Sequence, residues 1–440
     1  MAIKFGEGVS TGAKALVIGI IVLGLLIPLA LLRGLVSERS TLREQAYAKV
    51  AEGWGGELVT GGPLLVVPLE RTIVDADKTR IERGELYLLP ARLDVTVQLD
   101  LEPQPRYVGI YAVPVYLSRV HLAGQFDFAA LTPLLNRPGV TYRWEQSRLR
   151  LPLSQVRSLR EVQRARFAGS DIELGPAGLG LYRGVEAEIN PEVFSQGRPV
   201  DFAFDTVLAG SRAFSILPVG STTTVKVQSG WPHPSFQGAF LPVSREISDS
   251  GFEARWQVLE LNRSYRQAWM DGEVNEQTLL ESAFGVGLYQ TVDAYQRGER
   301  AIKYALLFIA LTFLTFFAWE QVSRLRIHPL QYLLVGLALS VFYLLLIALS
   351  EHLPFALAYV VAATALVLLI GTYIAGALRS RARGLVAGAA MTVVYGLLYV
   401  LVLSEDYALL LGAIILFLAL AAVMLVTRKI DWYRPRETED

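Results

Sequence analysis

The sequence of 440 residues contains no cysteine and only four histidines. Without cysteine, the chain has no disulfide scaffold, thiolate zinc site, iron–sulfur cluster or cysteine nucleophile. The histidines are His121, His233, His328 and His352, and no two of them have an i, i+3 or i+4 spacing. A local metal motif such as H-E-x-x-H is therefore absent, and we predict neither a metal nor a cofactor.

Neither sign of charge is in excess, because 41 lysines and arginines balance 41 aspartates and glutamates. A nucleic-acid binder normally needs an excess of basic groups, since phosphate neutralisation supplies most of its nonspecific affinity. We therefore predict that nucleic acid is not a partner. A Walker phosphate-binding loop is also missing, and we predict that the protein is not an enzyme, although distant side chains could still converge on folding.

Apolar residues, by contrast, make up 52% of the sequence, and the mean hydropathy is +0.38. They concentrate in six runs that each approach the roughly 20 residues needed to cross a bilayer as a helix. The runs cover residues 15–32, 301–319, 330–350, 355–378, 385–403 and 408–426. From them we predict transmembrane helices at 15–36, 301–320, 329–350, 355–378, 385–403 and 407–427. A buried core helix could explain one run, but not five in succession.

The first run has two interpretations, a cleaved signal peptide or an uncleaved anchor. Lys4 and Lys14 supply a basic start, but no small-x-small cleavage site follows near Arg33 or Ser37. The apolar part is also longer than that of a usual signal peptide. We therefore predict an anchor.

Basic residues in the short loops predict the orientation of the chain. If residues 1–14 are cytoplasmic, eleven lysines and arginines fall on that side, including those of the tail at 428–440. The opposite short loops, at 351–354 and 404–407, contain none. We therefore expect both termini in the cytoplasm and residues 37–300 outside, in the periplasm of a bacterium with two membranes.

The patterning of residues 37–300 predicts mainly β-strands. Apolar and polar side chains alternate at 93–101, the period-two pattern of a strand with one wet face, and again near 120–128, 200–204 and 225–227. Glycine and proline turns between these runs favour one or two β-sandwiches. Helices are expected at 38–50 and around 273–300. The predicted fold is thus a membrane α-helical protein with six transmembrane helices and a large β-rich extracytoplasmic domain between helices 1 and 2.

One loop of this domain is a candidate binding site. In residues 231–236 (WPHPSF), two prolines fix the backbone between aromatic residues. Trp231, His233 and Phe236 are the candidate binding residues. The alternative interpretation is a structural corner that packs Trp231 and Phe236 onto the sheet.

A second candidate group consists of ionisable residues at the external ends of the predicted spans. Its members are Lys303, Glu351, His352, Glu405 and Asp406. They could form a polar binding cluster or remain separate solvated charges. An envelope enzyme, a less favoured hypothesis, would use Glu351 and Glu405 beside His352. Carboxylates near mid-membrane are absent from the predicted spans, which weighs against an ion-coupled transporter.

Several long motifs resemble the CreD family of inner-membrane proteins. They are residues 61–68 (GGPLLVVP), 231–236 (WPHPSF), 240–242 (FLP), 250–256 (SGFEARW), 303–305 (KYA), 328–337 (HPLQYLLVGL), 349–352 (LSEH) and 427–433 (TRKIDWY). The resemblance covers nearly the whole chain and is weakest at 136–199. It implies an inner-membrane protein connected with cell-envelope integrity and the response to envelope stress, and it supplies no catalytic residue.

The favoured function is therefore that of an interaction protein, whose partners are the lipid bilayer and an envelope or membrane protein. The alternative is a subunit of a lipid or small-molecule transporter. It predicts a cavity in the C-terminal bundle lined by Thr312, Thr315, Tyr343, Tyr373, Tyr395 and Tyr399. The oligomeric state does not follow from the sequence.

Overall fold

The computed structural model describes residues 11–75, 78–130, 137–177, 182–196, 198–288, 294–322, 327–404 and 407–427. The chain divides into two compact units. The first, which we call the membrane unit, consists of Met1–Leu42 and Val292–Asp440. The second, the β unit, consists of Arg43–Thr291.

The α-helices of the described residues are as follows. They are α1 (Thr11–Gly24), α2 (Leu26–Gly53), α3 (Glu276–Glu281), α4 (Ala294–Val322), α5 (Pro329–Ser350), α6 (Phe355–Ala377), α7 (Arg381–Leu403) and α8 (Ala408–Thr427). Within the described residues, five segments are long and apolar enough to cross a membrane, one N-terminal and four C-terminal. These five spans and the β-rich domain between them are confirmed. The sixth predicted span forms α8, Ala408–Thr427, but within the described residues its apolar segment covers only Ala408–Ala421, so the count of six stays a prediction.

The N-terminal span is interrupted at Leu25, between α1 and α2. Pro28 explains the break, because a proline has no N–H to donate to the carbonyl four residues earlier, at Gly24. The helix resumes at once and continues to Gly53, so the predicted helix at 38–50 is confirmed as part of α2.

The first turn of α5 is fixed by the motif His328–Pro329–Leu330–Gln331. The His328 imidazole accepts from the Leu330 N–H at 3.2 Å, and the Gln331 side chain accepts from the His328 N–H at 2.9 Å. Pro329 occupies the first helical position, where its missing N–H costs nothing. This cap places Tyr332 in the first turn of the helix.

The strands of the β unit are numerous and range in length from two to twelve residues. They are β1 (Leu58–Gly61), β2 (Leu64–Asp75), β3 (Lys78–Leu88), β4 (Arg92–Leu101), β5 (Arg106–Val108), β6 (Tyr111–Val113), β7 (Val115–Phe126), β8 (Val140–Tyr142), β9 (Arg148–Pro152), β10 (Leu159–Phe167), β11 (Ser170–Asp171), β12 (Gly175–Pro176), β13 (Gly184–Glu188), β14 (Val200–Ser211), β15 (Ala213–Leu217), β16 (Thr222–Ser229), β17 (Ser235–Gly238), β18 (Ser244–Ser248), β19 (Gly251–Leu259), β20 (Ala268–Met270) and β21 (Phe284–Gly287).

Three larger sheets and one hairpin contain these strands. The eight-stranded sheet has the order β11-β10-β14-β7-β4-β16-β19-β18, and the seven-stranded sheet has the order β12-β13-β9-β2-β3-β20 with β8 beside β2. A four-stranded sheet has the order β1-β15-β21-β17, and β5 pairs with β6. Most neighbours are antiparallel, but β16 runs parallel to β4 and β1 runs parallel to β15.

The eight-stranded sheet has one buried face and one wet face. In β4, Leu93, Val95, Val97 and Leu99 are almost fully buried, while Asp94 and the other intervening residues face outward. The strand predicted from this alternation is confirmed. A single hydrophobic core includes buried residues from all three larger sheets, among them Val95, Leu65 and Phe214.

The predicted helix around 273–300 is wrong in its central part. Helix α3 ends at Glu281, and Phe284–Gly287 forms strand β21, which pairs with both β15 and β17. Phe284 and Val286 are buried by these pairings. Gly285 permits the close approach, because a Cβ there would lie 2.0 Å from the Phe214 carbonyl oxygen. Phe284–Gly287 therefore forms a strand, because pairing with β15 and β17 outweighs the helical pattern of the residues before and after it.

Candidate functional site

The loop at 231–236 is held together by its own aromatic residues. The Trp231 indole N–H donates to the His233 carbonyl at 2.9 Å, and the two rings meet edge to face at 6.4 Å. The Phe236 ring lies edge-on to Phe252 and Trp256, at centroid distances of 5.9 and 5.7 Å. Trp231 and Phe236 are half-buried against the core, whereas His233 is exposed.

These contacts support the packing interpretation for Trp231 and Phe236. Of the three candidate residues, only His233 presents its side chain mainly to solvent. A binding role for the loop stays a prediction. The loop leads directly into β17, an edge strand of the four-stranded sheet.

An exposed segment follows the loop at residues 241–248. Phe240 anchors its start, because its carbonyl accepts from the Trp256 indole N–H at 3.1 Å and its ring packs on Phe284. The chain then enters β18, an edge strand of the eight-stranded sheet in which all five residues are exposed. Val243 and Ile247 are 74% and 50% exposed.

Within the part of the chain that the structure describes, both faces of strand β18 are therefore exposed, and one row of its backbone groups has no neighbouring strand. Natural sheets usually protect such an edge with charges, and Arg245 and Glu246 supply two here. The apolar Val243 and Ile247 are the exception. The local pattern of this segment gives only a weak strand signal, because Arg245 interrupts the apolar series of Leu241, Val243 and Ile247.

The neighbouring strand β19 carries a cluster of ion pairs on the same sheet. Glu253 accepts from Gln228, from Arg255 at 2.7 Å and from Lys226 at 3.1 Å. These hydrogen bonds lower the pKa of Glu253 to about 2, the largest contribution coming from Gln228. Glu253 is thus ionised throughout the neutral range, and the wet face beside β18 is polar.

Two members of the predicted external cluster, Lys303 and Glu351, form ion pairs with residues outside it. Lys303 pairs with Glu299, one turn earlier in α4, at 3.3 Å. Glu351, at the C-terminal end of α5, pairs with Arg39 of α2 at 3.5 Å, and His352 is exposed. Glu405 and Asp406 lie outside the described residues. The structure therefore gives Lys303 and Glu351 separate partners, and a shared binding role stays a prediction.

A buried polar site that the sequence reasoning missed lies at the other end of these helices. Glu320, near the end of α4, forms an ion pair with Lys14 of α1, and its side chain is only 2% exposed. The same carboxylate accepts from the Ile327 N–H at 3.1 Å and from the Tyr332 hydroxyl at 2.9 Å. Lys14 also donates to the Ile327 carbonyl at 2.6 Å.

Three donors therefore surround Glu320, and the cluster links α1, α4 and α5. A buried carboxylate without such partners would be strongly disfavoured. The position near the end of α4, rather than at mid-membrane, suits a tie between helices better than a proton path. Lys14 and Glu320 are 306 positions apart, which is why no local motif revealed them. The available signal was two opposite charges predicted at the same membrane face.

The residues that the transport hypothesis places around a cavity contact other helix residues instead. The ring of Phe342 lies 5.0 Å from that of Tyr343 and 4.7 Å from that of Tyr395. The Tyr359 hydroxyl donates to the Tyr395 carbonyl at 2.6 Å. Thr312 and Thr315 donate to carbonyls of their own helix, and Tyr373 and Tyr399 pack against the same core. This packing favours a role in helix association.

Comparison with known proteins bears on the whole chain. The family model described as Inner membrane protein CreD matches residues 10–433. Inner membrane protein CreD of Escherichia coli (strain K12) is 35% identical over 421 residues, which cover 94% of this chain and 91% of that protein. Among solved structures, a mutant M1 zinc metallopeptidase from Deinococcus radiodurans overlaps 39% of each chain at 14% identity, with a TM-score of 0.21. A likeness that low carries no inference about fold or activity.

Proposed function

The chain belongs to the CreD family of inner membrane proteins, and we propose that it supports the integrity of the cell envelope by presenting the β unit to a partner. The partner is an envelope protein or another membrane protein that supplies an extended segment. In this role the protein acts by binding, during the response to envelope stress, and performs no catalytic step.

The proposed topology has six spans, both termini in the cytoplasm and the β unit in the periplasm. The excess of eleven basic residues over none in the short loops supports this orientation. Helix α8, at Ala408–Thr427, supports the sixth span. A β unit on the outer side can meet envelope components that a cytoplasmic domain cannot reach.

The observation that carries the binding proposal is the uncovered edge strand β18. An extended peptide can add to a sheet edge through main-chain hydrogen bonds, while its side chains settle beside those of the edge strand. Val243 and Ile247 offer apolar contacts, and Arg245 and Glu246 between them offer charge selectivity. The exposed His233 lies on the same stretch of chain, just before β17.

In-cell photocrosslinking tests this docking site. A photoreactive residue at position 247 should capture a discrete protein, and one at position 233 should capture the same protein if the loop takes part. Position 261 is the matched control, since Leu261 is 91% exposed but lies in the turn Glu260–Asn262. Equal capture at 261, or only the protein's own β unit at 247, would contradict the proposal.

A functional readout complements the crosslink. Ile247→Asp should lower tolerance of envelope stress while the amount of inserted protein stays normal, because an exposed substitution changes stability by only about 0.5 kcal/mol. Leu261→Asp is the control and should leave tolerance unchanged. Normal tolerance in Ile247→Asp would remove β18 as the functional edge.

The proposed orientation can be tested by cysteine labelling, because the natural sequence contains no cysteine. A membrane-impermeant maleimide should label His352→Cys in intact spheroplasts. Arg383→Cys should react only after the membrane is made permeable. The reverse pattern would place the β unit in the cytoplasm.

A further inference from the structure

A cleft in the membrane unit lies between α2 and α4. It has a volume of about 520 Å³, and its lining includes Arg33, Ser37 and Ser40 from α2 and Glu299 and Lys303 from α4. Arg33 and Lys303 are both exposed, so two cations from different helices face one open space. The hydroxyl groups of α2 add donors between them.

The cleft lies where the polar and apolar parts of both helices meet. Arg33 follows the apolar run of the first span, and Lys303 lies at the start of the run in α4. On the α2 face that carries Arg33, Ala30 and Leu26 precede it by three and seven positions and are exposed. Leu306, one turn beyond Lys303, is exposed as well. Cationic and hydroxyl groups therefore lie next to exposed apolar surface on both helices.

This arrangement matches the chemistry of a phospholipid. Lysine and arginine bind phosphate oxygens through charge-assisted hydrogen bonds. We propose that the cleft binds the phosphate of an anionic phospholipid, with the acyl chains against Leu26 and Leu306. Free phosphate shares the head-group chemistry but would make no use of the apolar surface below it. The site is independent of partner docking at β18.

Glu299 is the opposing charge in the cleft. It pairs with Lys303 at 3.3 Å and therefore competes with a phosphate for that ammonium group. Within the described residues, Arg33 has no ion-pair partner and is available as the principal cation. Removing the Glu299 charge should consequently strengthen lipid binding, an effect opposite in sign to that of removing either cation.

Native mass spectrometry of the full chain in detergent, titrated with phosphatidylglycerol, tests the site. The wild-type chain should bind one lipid saturably, and diacylglycerol with the same acyl chains should not replace it. Arg33→Gln and Lys303→Gln should each weaken binding about fivefold, the effect of losing one basic group at a membrane surface. Glu299→Gln should tighten binding. Arg381→Gln, an exposed arginine at the start of α7, removes the same charge elsewhere and should have no effect.

Each result decides for or against the site. Unchanged binding in both Arg33→Gln and Lys303→Gln, or equal weakening in Arg381→Gln, would overturn it. Displacement of the lipid by an equal concentration of inorganic phosphate would assign the cleft to free phosphate instead. If Arg33→Gln failed to insert, tighter binding by Glu299→Gln would still support the proposal, and weaker binding would overturn it.

Discussion

In the β unit, Glu253 meets Lys226 and Arg255 on the wet face of the eight-stranded sheet, where its side chain is 28% exposed. In the membrane unit, Glu320 meets Lys14 at a site where the carboxylate side chain is 2% exposed. Both carboxylates accept three or more hydrogen bonds from side chains or backbone. The two differ in what happens when a partner is lost.

Water can replace a missing partner on the wet sheet face but not inside the helix bundle. Exposed ion pairs therefore contribute only about 0–1 kcal/mol, whereas breaking a buried pair costs about 3–5 kcal/mol. The number of hydrogen bonds around a carboxylate therefore does not by itself predict how much stability is lost when a partner is removed. Burial decides how costly an unpaired charge becomes.

The largest loss of stability is expected when Glu320 is replaced. Glu320→Ala leaves the Lys14 ammonium, the Ile327 N–H and the Tyr332 hydroxyl without their acceptor. We expect the membrane unit to lose about 3–5 kcal/mol of stability. Unfolding of the full chain in detergent, followed by circular dichroism, measures the loss.

A double variant provides the control for this prediction. Lys14→Met combined with Glu320→Gln removes both charges while keeping an acceptor for Tyr332. It should recover much of the lost stability, because no unpaired charge remains. The prediction would be wrong if Glu320→Ala were as stable as the wild type, or if the double variant were no more stable than Glu320→Ala.

A smaller effect is expected within the loop at 231–236. Phe236→Ala should cost about 2 kcal/mol, roughly half the loss for a fully buried phenylalanine, because its ring packs on Phe252 and Trp256 while remaining partly exposed. His233→Ala, in the same loop, should change stability by less than about 0.5 kcal/mol. Chemical unfolding monitored by tryptophan fluorescence compares them. Equal losses of stability in Phe236→Ala and His233→Ala would contradict the difference in burial between these two residues.

The smallest expected effect on stability is the pH-dependent contribution of the Glu253 carboxylate. Its pKa falls from the ordinary 4.5 to about 2 in the folded chain, chiefly through hydrogen bonds from Gln228, Arg255 and Lys226. A lowered folded-state pKa stabilises the fold above pH 4.5, and this stabilisation disappears as the pH falls towards 2. The stability difference between wild type and Glu253→Gln should therefore shrink across that window in acid unfolding experiments. Glu246→Gln, on neighbouring β18, controls for loss of a carboxylate from the same sheet, and an identical pH profile for both variants would refute the assignment.

Local periodicity predicted the apolar helices of the membrane unit but only four of the strands of the β unit, namely β4, β7, β14 and β16. The alternation at 93–101 predicted β4, and the apolar runs predicted the helices that contain them. These elements can be predicted because apolar side chains recur at every second residue on a strand with one buried face. On a membrane-buried helix, apolar side chains lie on all sides. The pairing of β4 with β16, more than a hundred positions later, could not be predicted, because several other strands have alternating patterns that would pair with β4 equally well.

The candidate sites were less predictable than the elements. Trp231, His233 and Phe236 were found from sequence, but their division into packed and exposed residues depended on Phe252 and Trp256 of another strand. Strand β21 does not follow from local pattern, because the strands that pair with it, β15 and β17, lie about 50 or more positions earlier in the chain.

Composition and periodicity were enough to predict a membrane protein with a β-rich domain, and long motifs were enough to predict its family. Those properties depend on composition, periodicity and long motifs, all of which are local along the chain. Only the tertiary structure decided that Glu320 is buried beside Lys14, that Lys303 shares a cleft with Arg33, and that β18 is an uncovered edge. These are relations between residues far apart in sequence, and a residue's charge or polarity does not reveal which distant group will remove it from water.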